Sequence, residues 1–455
     1  MTESSEILIR KSDTKKKLLF AFPRVGSSLV IGLEGFALLN LYYNGYGLSA
    51  LLVTLVQALG FIVIGFGQFL FGWVSDAKYT KWGRRKPYII MLAPLLGISF
   101  IFLFLPRLIL PDLNDKAALF IWLLIWDLIF KISYSLTTVY QSWMAEQFIN
   151  SERPKVSQFQ NYFNWIGNGS MAIVSILVLT NYVTALTGPP PNPNIPIPFD
   201  FLILTIVFGI IVIVAFILVA IFMPTEPNFE IKTKLKENLK IVLKNRNYLL
   251  ITLMIGIASL AWSILNNALL AYTQGALFLS GLDFYIIAGF LLIGIFSFLY
   301  FWRRTLEKRG KKKTLLNIFL FAVISLPISL LALIDAFPRL LLGMIFIIIG
   351  TGSLGGWYLF PYIVYADIAE DDEQKTGQLK AGIYAGFNSI ILNLFQAFGV
   401  FVLGVAIESL PMITLSGGSV ALGLILFGPI SSAILLIAYF YTKKYVKLDY
   451  EWEKK

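Results

Sequence analysis

The chain contains no cysteine and no histidine. The first absence excludes disulfides and thiol catalysis, and the two together exclude the usual zinc and haem ligands. Any titratable group that works in an apolar interior must then be a carboxylate or a lysine. Charge is scarce as well, at 14% of the 455 residues. Hydrophobic residues reach 57%, against roughly 45–50% in soluble domains, and the mean hydropathy is +0.76. With no nucleophile–base set and no cluster of metal ligands in view, neither an enzyme nor a resident metal or cofactor is expected. The expected partners are the bilayer and a small-molecule substrate, not nucleic acid, and a monomer is expected.

What is present is a series of apolar runs of about 20 residues or more, each long enough to cross ~30 Å of hydrocarbon. Twelve spans are predicted: 18–44, 48–74, 88–107, 117–148, 158–185, 199–223, 247–272, 281–302, 313–335, 338–367, 379–407 and 418–442. Residues 1–17 are polar and end in a lysine run, so no signal peptide is expected. Arg24 and Lys131 fall inside spans; Arg107, Lys116 and Arg339 fall in loops of one side, and the other basic residues in loops of the opposite side. The positive-inside rule then predicts cytoplasmic termini in the plasma membrane. The polar stretch 224–246 divides the chain into two six-helix bundles, 1–223 and 247–442, followed by a tail, 443–455. Its basic, periodic second half suits either a helix lying on the inner leaflet or a solvated linker.

The two bundles repeat weakly. The turn after the second span reads GWVSDAKYTKWGRRKP, and the turn after the eighth reads FWRRTLEKRGKKKT. The fourth span ends Ala145-Glu146 and the tenth Ala366-Asp367. Two bundles in one orientation are the signature of the major facilitator architecture, in which substrate binds between halves that rock. The residues Asp76, Lys81 and Gly83-Arg84-Arg85-Lys86-Pro87 resemble the loop between helices 2 and 3 of that superfamily. Their longer form is similar to two sugar-carrier branches, the plant-type sucrose–proton symporters and the glycoside–pentoside–hexuronide cation symporters. Residues 146–168 (EQFINSERPKVSQFQNYFNWIGN) resemble the first branch and 366–385 (ADIAEDDEQKTGQLKAGIYA) the second.

The resemblance implies a sugar carrier, yet its charged residues are missing here. The positions of the cation-site aspartates of the glycoside branch are Ile64 and Gln68. Those of its sugar-binding charges are Ser28, Thr138, Asn161 and Asn393. All are neutral, which argues against a sodium-coupled mechanism of that type.

Other charges lie deep instead. A charge at the bilayer centre costs on the order of 3 kcal/mol, so such residues face protein or water and are usually functional. Glu34 lies about 18 Å, and Lys131 about 22 Å, from the basic ends of their helices at 1.5 Å per residue. Asp127 and Lys131 share a helix face and can pair, and the three can meet near mid-membrane. If Lys131 moves between the two carboxylates, the one it leaves can take a proton; the competing reading is a permanent ion pair that fixes two helices together. Glu146 matches a carboxylate of the sucrose carriers implicated in proton binding. It also stands seven residues before Arg153, a spacing that suits a gating salt bridge with the Arg84/Arg85 loop, and both readings stay open. Asp76, Gly83, Arg84, Arg85, Glu146, Arg153 and Asp367 are predicted to form the inner latch.

A sugar site needs amides for hydroxyls and an aromatic face for the ring. Candidates are Gln57, Gln141, Asn161 and Trp165 in the first bundle, and Trp262, Asn266, Asn267, Trp357, Asn388 and Asn393 in the second. Each also suits plain helix–helix hydrogen bonding or interface anchoring. Gly350, Gly352 and Gly355 spell a nucleotide-type GxGxxG, but inside an apolar span they read as packing glycines. The expectation is thus an all-α carrier of a sugar or glycoside, coupled to protons. The alternatives are a uniporter or efflux carrier for another organic solute and, remotely, a membrane sensor, which the short tail disfavours.

Overall fold

In the computed structural model the described residues are 13–77, 79–149, 152–226, 243–360 and 381–448, with 364, 368 and 371. They are helical almost throughout, as a chain in lipid must be, because a helix satisfies its own backbone where water is absent. The helices are α1 Thr14–Ala21, α2 Pro23–Leu39, α3 Ala50–Ala77, α4 Lys86–Phe104, α5 Lys116–Tyr134, α6 Leu136–Gln147, α7 Arg153–Val174, α8 Thr180–Thr187 and α9 Phe199–Phe222. After residue 243 come α10 Arg246–Gly275, α11 Leu282–Arg309, α12 Lys311–Ser325, α13 Arg339–Trp357, α14 Ala381–Ser409 and α15 Gly423–Tyr445. Among the described residues, eleven helical stretches are long and apolar enough to span a membrane. α11 is continuous, and its described apolar part is Leu282–Leu291.

Several expected spans are broken for identifiable reasons. Phe22 keeps helical dihedrals (φ −54°, ψ −39°), and α1 parts from α2 because Pro23 has no N–H to continue the helical hydrogen bonds. Ser135 divides the fourth expected span into α5 and α6. Pro327 turns the end of the ninth into a tighter 3₁₀ segment, Leu326–Leu333. The expected start of the twelfth span at 418 is corrected. Met412–Leu415 and Gly418–Ala421 form a two-stranded antiparallel hairpin, β1–β2, and α15 begins only at Gly423. Short apolar runs flank the Ser416-Gly417 turn, and by composition alone such runs merge with the helix behind them.

Two compact units form. The first draws on Met1–Glu34, Ile62–Ser175 and Asn194–Lys234. In it α4 crosses α9 where Gly97 and Gly209 meet: a Cβ on Gly209 would lie 2.9 Å from the Gly97 carbonyl oxygen. Small residues permit this approach between membrane helices. The second draws on Gly35–Phe61, Ile176–Pro193 and Leu235–Lys455. α10, buried along most of its length, packs there against α14 and α15. Gly352 and Gly350 work as the packing residues expected, because a Cβ there would sit 2.9 Å from the Phe298 ring and 3.0 Å from Leu269; Gly355 does not, since a Cβ there would meet nothing within 4 Å. Trp302 Nε1 reaches the Gly352 carbonyl at 2.9 Å.

Candidate functional site

The first unit holds three buried ionisable side chains close together. Glu34 on α2 is 1% exposed, and Asp127 and Lys131 on α5 are 0% exposed. Lys131 Nζ donates to Glu34 Oε2 at 2.6 Å. Neither oxygen of Asp127 has a hydrogen-bond partner, although Asp127 stands four residues from Lys131 on one helix face. Of the two carboxylates that Lys131 could pair with, it bonds here to Glu34. A buried ion pair needs good geometry to offset desolvation, and a contact across two helices supplies here what the neighbour on the same helix does not.

A second cation went unassigned in the sequence. Arg24 on α2 donates from Nη2 to Gln141 Oε1 at 2.7 Å and lies 6.0 Å from the Tyr140 ring centroid. Gln160 Nε2 donates to the Tyr140 hydroxyl at 2.9 Å, and that hydroxyl donates to the Phe20 carbonyl. Gln141, expected to meet sugar, thus holds Arg24. Ser28 Oγ on α2 donates to Asn164 Oδ1 on α7, while Asn161 and Trp165 on α7 are exposed and half-buried. Among the described residues, neither hydrogen-bonds to Gln141, whose partners are Arg24 and Gln160.

The basic turn before α4 is organised by a residue the sequence did not single out. Glu226 accepts the Arg84 N–H, the Arg85 N–H at 3.2 Å and the Trp143 indole N–H at 2.9 Å. It caps α4, where free N–H groups favour an anion. Gly83 makes this possible: its φ is +90°, and a Cβ would fall 2.7 Å from Glu226 Oε1. Arg85 pairs with Glu146 at 2.7 Å and donates to Ser75 Oγ at 2.6 Å, and the Arg84 guanidinium lies 5.7 Å from the Tyr79 ring. Glu146 is thus joined to the Arg84/Arg85 loop. The spacing to Arg153 makes no pair with it, because Arg153 Nε turns to the Phe148 carbonyl at 3.1 Å where the chain bends after α6. Glu152 pairs instead with Lys17 at 2.7 Å. The Asp76 side chain, Asp367 and most of the 224–246 stretch lie outside the described residues.

In the second unit the tryptophans come together. Trp262 on α10 and Trp357 on α13 have ring centroids 6.1 Å apart and planes inclined by 30°. Phe319 continues the stack 6.1 Å from Trp357. Trp262 is buried, and its indole N–H has no partner. Asn266, one turn along α10, is half-buried and approaches α2 so closely that a Cβ on Gly35 would lie 2.9 Å from its Nδ2. Gln57 Nε2 donates to Asn267 Oδ1 at 2.8 Å across two helices, and Asn267 Nδ2 donates to the Ser263 carbonyl of its own helix at 2.8 Å. Asn388 is buried, and Asn393 bonds to the Ser389 carbonyl of its own helix at 2.7 Å. A further amide cluster was missed. Asn40 Nδ2 donates to Gln274 Oε1 at 2.7 Å, Asn44 Nδ2 to Asn40 Oδ1 at 2.7 Å, and Gln274 Nε2 to Thr184 Oγ1 at 2.9 Å. Its one sequence signal is the four-residue spacing of Asn40 and Asn44.

Residues 19–442 match the family model described as MFS/sugar transport protein. The chain belongs to this family. MFS proteins with solved structures share its fold at low identity. The inward-open xylose transporter XylE from E. coli has a TM-score of 0.59 at 18% identity, covering 96% of this chain and 95% of that one. A variant of the nucleoside transporter NupG has a TM-score of 0.62 at 15% identity, covering 95% and 100%. A bacterial homologue of the lysosomal transporter Spinster has 0.63 at 13% identity, covering 97% and 100%. No curated protein matches the chain in sequence. This MFS chain is a multi-pass membrane transporter of small molecules, not an enzyme.

Proposed function

We propose that the chain is a proton-coupled symporter of a sugar or glycoside in the cytoplasmic membrane, with both termini cytoplasmic. One observation carries the coupling: a single ammonium, Lys131, is held by Glu34 at 2.6 Å while Asp127, one helical turn away, is fully buried without a hydrogen bond. Two carboxylates share one cation. When Lys131 holds Glu34, Asp127 is the group that takes the proton; when Lys131 moves to Asp127, Glu34 is released. The transported species is thereby linked to which carboxylate the lysine holds, and alternating access turns that linkage into symport. Glu146, tied to Arg85, belongs to the inner gate in this reading.

The sugar assignment rests on Trp262 and Trp357, whose apolar faces suit the C–H surface of a pyranose, with Asn266 beside them for hydroxyls. A flat base would stack on the same rings, which makes a nucleoside the competing substrate, and a uniporter or an efflux carrier the competing mode. Proteoliposomes in a weakly buffered medium containing a membrane-impermeant pH dye decide. Addition of the right sugar should alkalinise the outer medium during uptake. Transport that leaves the outer pH unchanged removes proton symport, and nucleosides that are carried while sugars are not remove the sugar assignment.

A further inference from the structure

A groove of about 490 Å³ opens between α11 and α12, away from every residue assigned above. Its rim carries Arg304, Lys308 and Arg309, all exposed. These cations lie within six residues of the Gly310 turn, about 9 Å along the helix at 1.5 Å per residue. Farther from the turn the lining becomes apolar, with Phe301, Phe321 and Ile324. Ile324 lies fourteen residues past Gly310, about 21 Å deeper by the same rise.

Among the described residues, the acids of α11 do not neutralise the rim. Glu307 is engaged by Arg303 at 3.1 Å, and Asp283, the other acid of α11, sits at the opposite end of the helix. The hydrogen bond of Arg304 goes to the Tyr300 hydroxyl at 3.3 Å. The floor is fixed in place, because Trp302 is 3% exposed and bonded to the Gly352 carbonyl of α13. A soluble anion would use only the three cations. A free acyl chain would use only the apolar wall, of which Phe301 and Ile324 are 53% and 72% exposed.

We propose that this groove is a binding site for an anionic phospholipid. The headgroup phosphate lies among Arg304, Lys308 and Arg309, and one acyl chain runs along Phe301, Phe321 and Ile324. Basic pockets at the ends of membrane helices recognise lipid phosphates in this way, and guanidinium groups match phosphate geometry. The site is independent of the transported substrate.

The test uses the full-length protein in neutral detergent, with phosphatidylglycerol, phosphatidylcholine or inorganic phosphate added. Native mass spectrometry counts retained lipid, and thermal unfolding reports stabilisation. The wild type should retain phosphatidylglycerol roughly tenfold over phosphatidylcholine. Arg304→Gln, Lys308→Gln and Arg309→Gln together should abolish that preference. Arg303→Gln with Lys313→Gln removes charge from the same end but outside the groove and should preserve it. Ile324→Trp fills the apolar wall without changing charge and should lower phosphatidylglycerol retention. Equal retention of the two lipids by the wild type, or an intact preference in the triple variant, overturns the proposal. So does stabilisation by inorganic phosphate equal to that by lipid, with Ile324→Trp indifferent, which would make the groove a plain anion site.

Discussion

Lys131 reaches across from α5 to Glu34 on α2 and leaves Asp127, its neighbour on the same helix, without a bond. Removing one member of a buried pair strands the other. Lys131→Met should therefore destabilise the protein by about 3–5 kcal/mol, and Glu34→Gln with Lys131→Met should recover part of the loss. Thermal unfolding of the two single variants and the double variant measures this. Strictly additive losses would show that the pair does not act as a unit.

Asp127→Asn changes no hydrogen bond of the described structure and should fold normally. If Asp127 takes the coupling proton, this variant will exchange substrate across vesicles at wild-type rates but fail to accumulate it against a gradient. Uphill accumulation at the wild-type level would remove Asp127 from the coupling assignment.

Glu226 gathers two backbone N–H groups and the Trp143 indole. Glu226→Gln should cost about 1–3 kcal/mol through loss of charge-assisted bonds. Gly83→Ala should cost a similar amount, about 1–3 kcal/mol, from a strained positive φ and from the clash with Glu226. Hydrogen exchange in the 79–86 turn should rise in both variants, and unchanged protection would contradict the capping role.

Trp262 and Trp357 are expected to hold substrate as a pair. Trp262→Ala or Trp357→Ala should raise the substrate KM about tenfold, while Trp262→Phe, which keeps a flat ring, should raise it less. Identical KM values for Ala and Phe at position 262 would show that ring stacking is not used.

A pH effect is expected outside the spans. Asp335 accepts the Ser416 N–H and hydroxyl at 3.1 Å each and pairs with Arg339 at 2.7 Å. The Ser416 backbone N–H first, then that hydroxyl and Arg339, hold its carboxyl below the usual range. A depressed carboxylate stabilises the clasp above its unfolded pKa, and the contribution is lost as pH falls through the folded value. The exchange protection of the β1–β2 hairpin, relative to the intrinsic rate at each pH, should therefore fall on acidification below the normal carboxylate range, and Asp335→Asn should remove that dependence. An equal response in the Asn variant would assign the effect to another group.

Much of this was open to reading in one dimension. Glu34, Asp127 and Lys131 stood out because a charge in an apolar run is costly and rarely idle. Gly352 read as a packing residue because no strand could precede it in a membrane span. The loop carrying Arg84 and Arg85 was visible as a motif, but its partner Glu226 was not: it lies more than 140 positions away in a polar stretch, where one more acid carries no signal. The hairpin at 412–421 was hidden because short apolar runs do not distinguish strand from helix. Gln57 and Asn267 looked like sugar ligands, and nothing local showed that one would donate to the other across helices.

Composition and the placement of charge suffice for the class of protein, its apolar spans and its buried charges, because lipid imposes length and hydrophobicity on each segment independently of the others. Which partner each polar group takes is a matter of three-dimensional packing. Lys131 with Glu34 rather than Asp127, Glu226 at the start of α4, and Trp262 beside Trp357 all depend on which helices adjoin and at what rotation. That arrangement arises from the contacts of the whole bundle, where a buried polar group bonds to whatever the neighbouring helix presents.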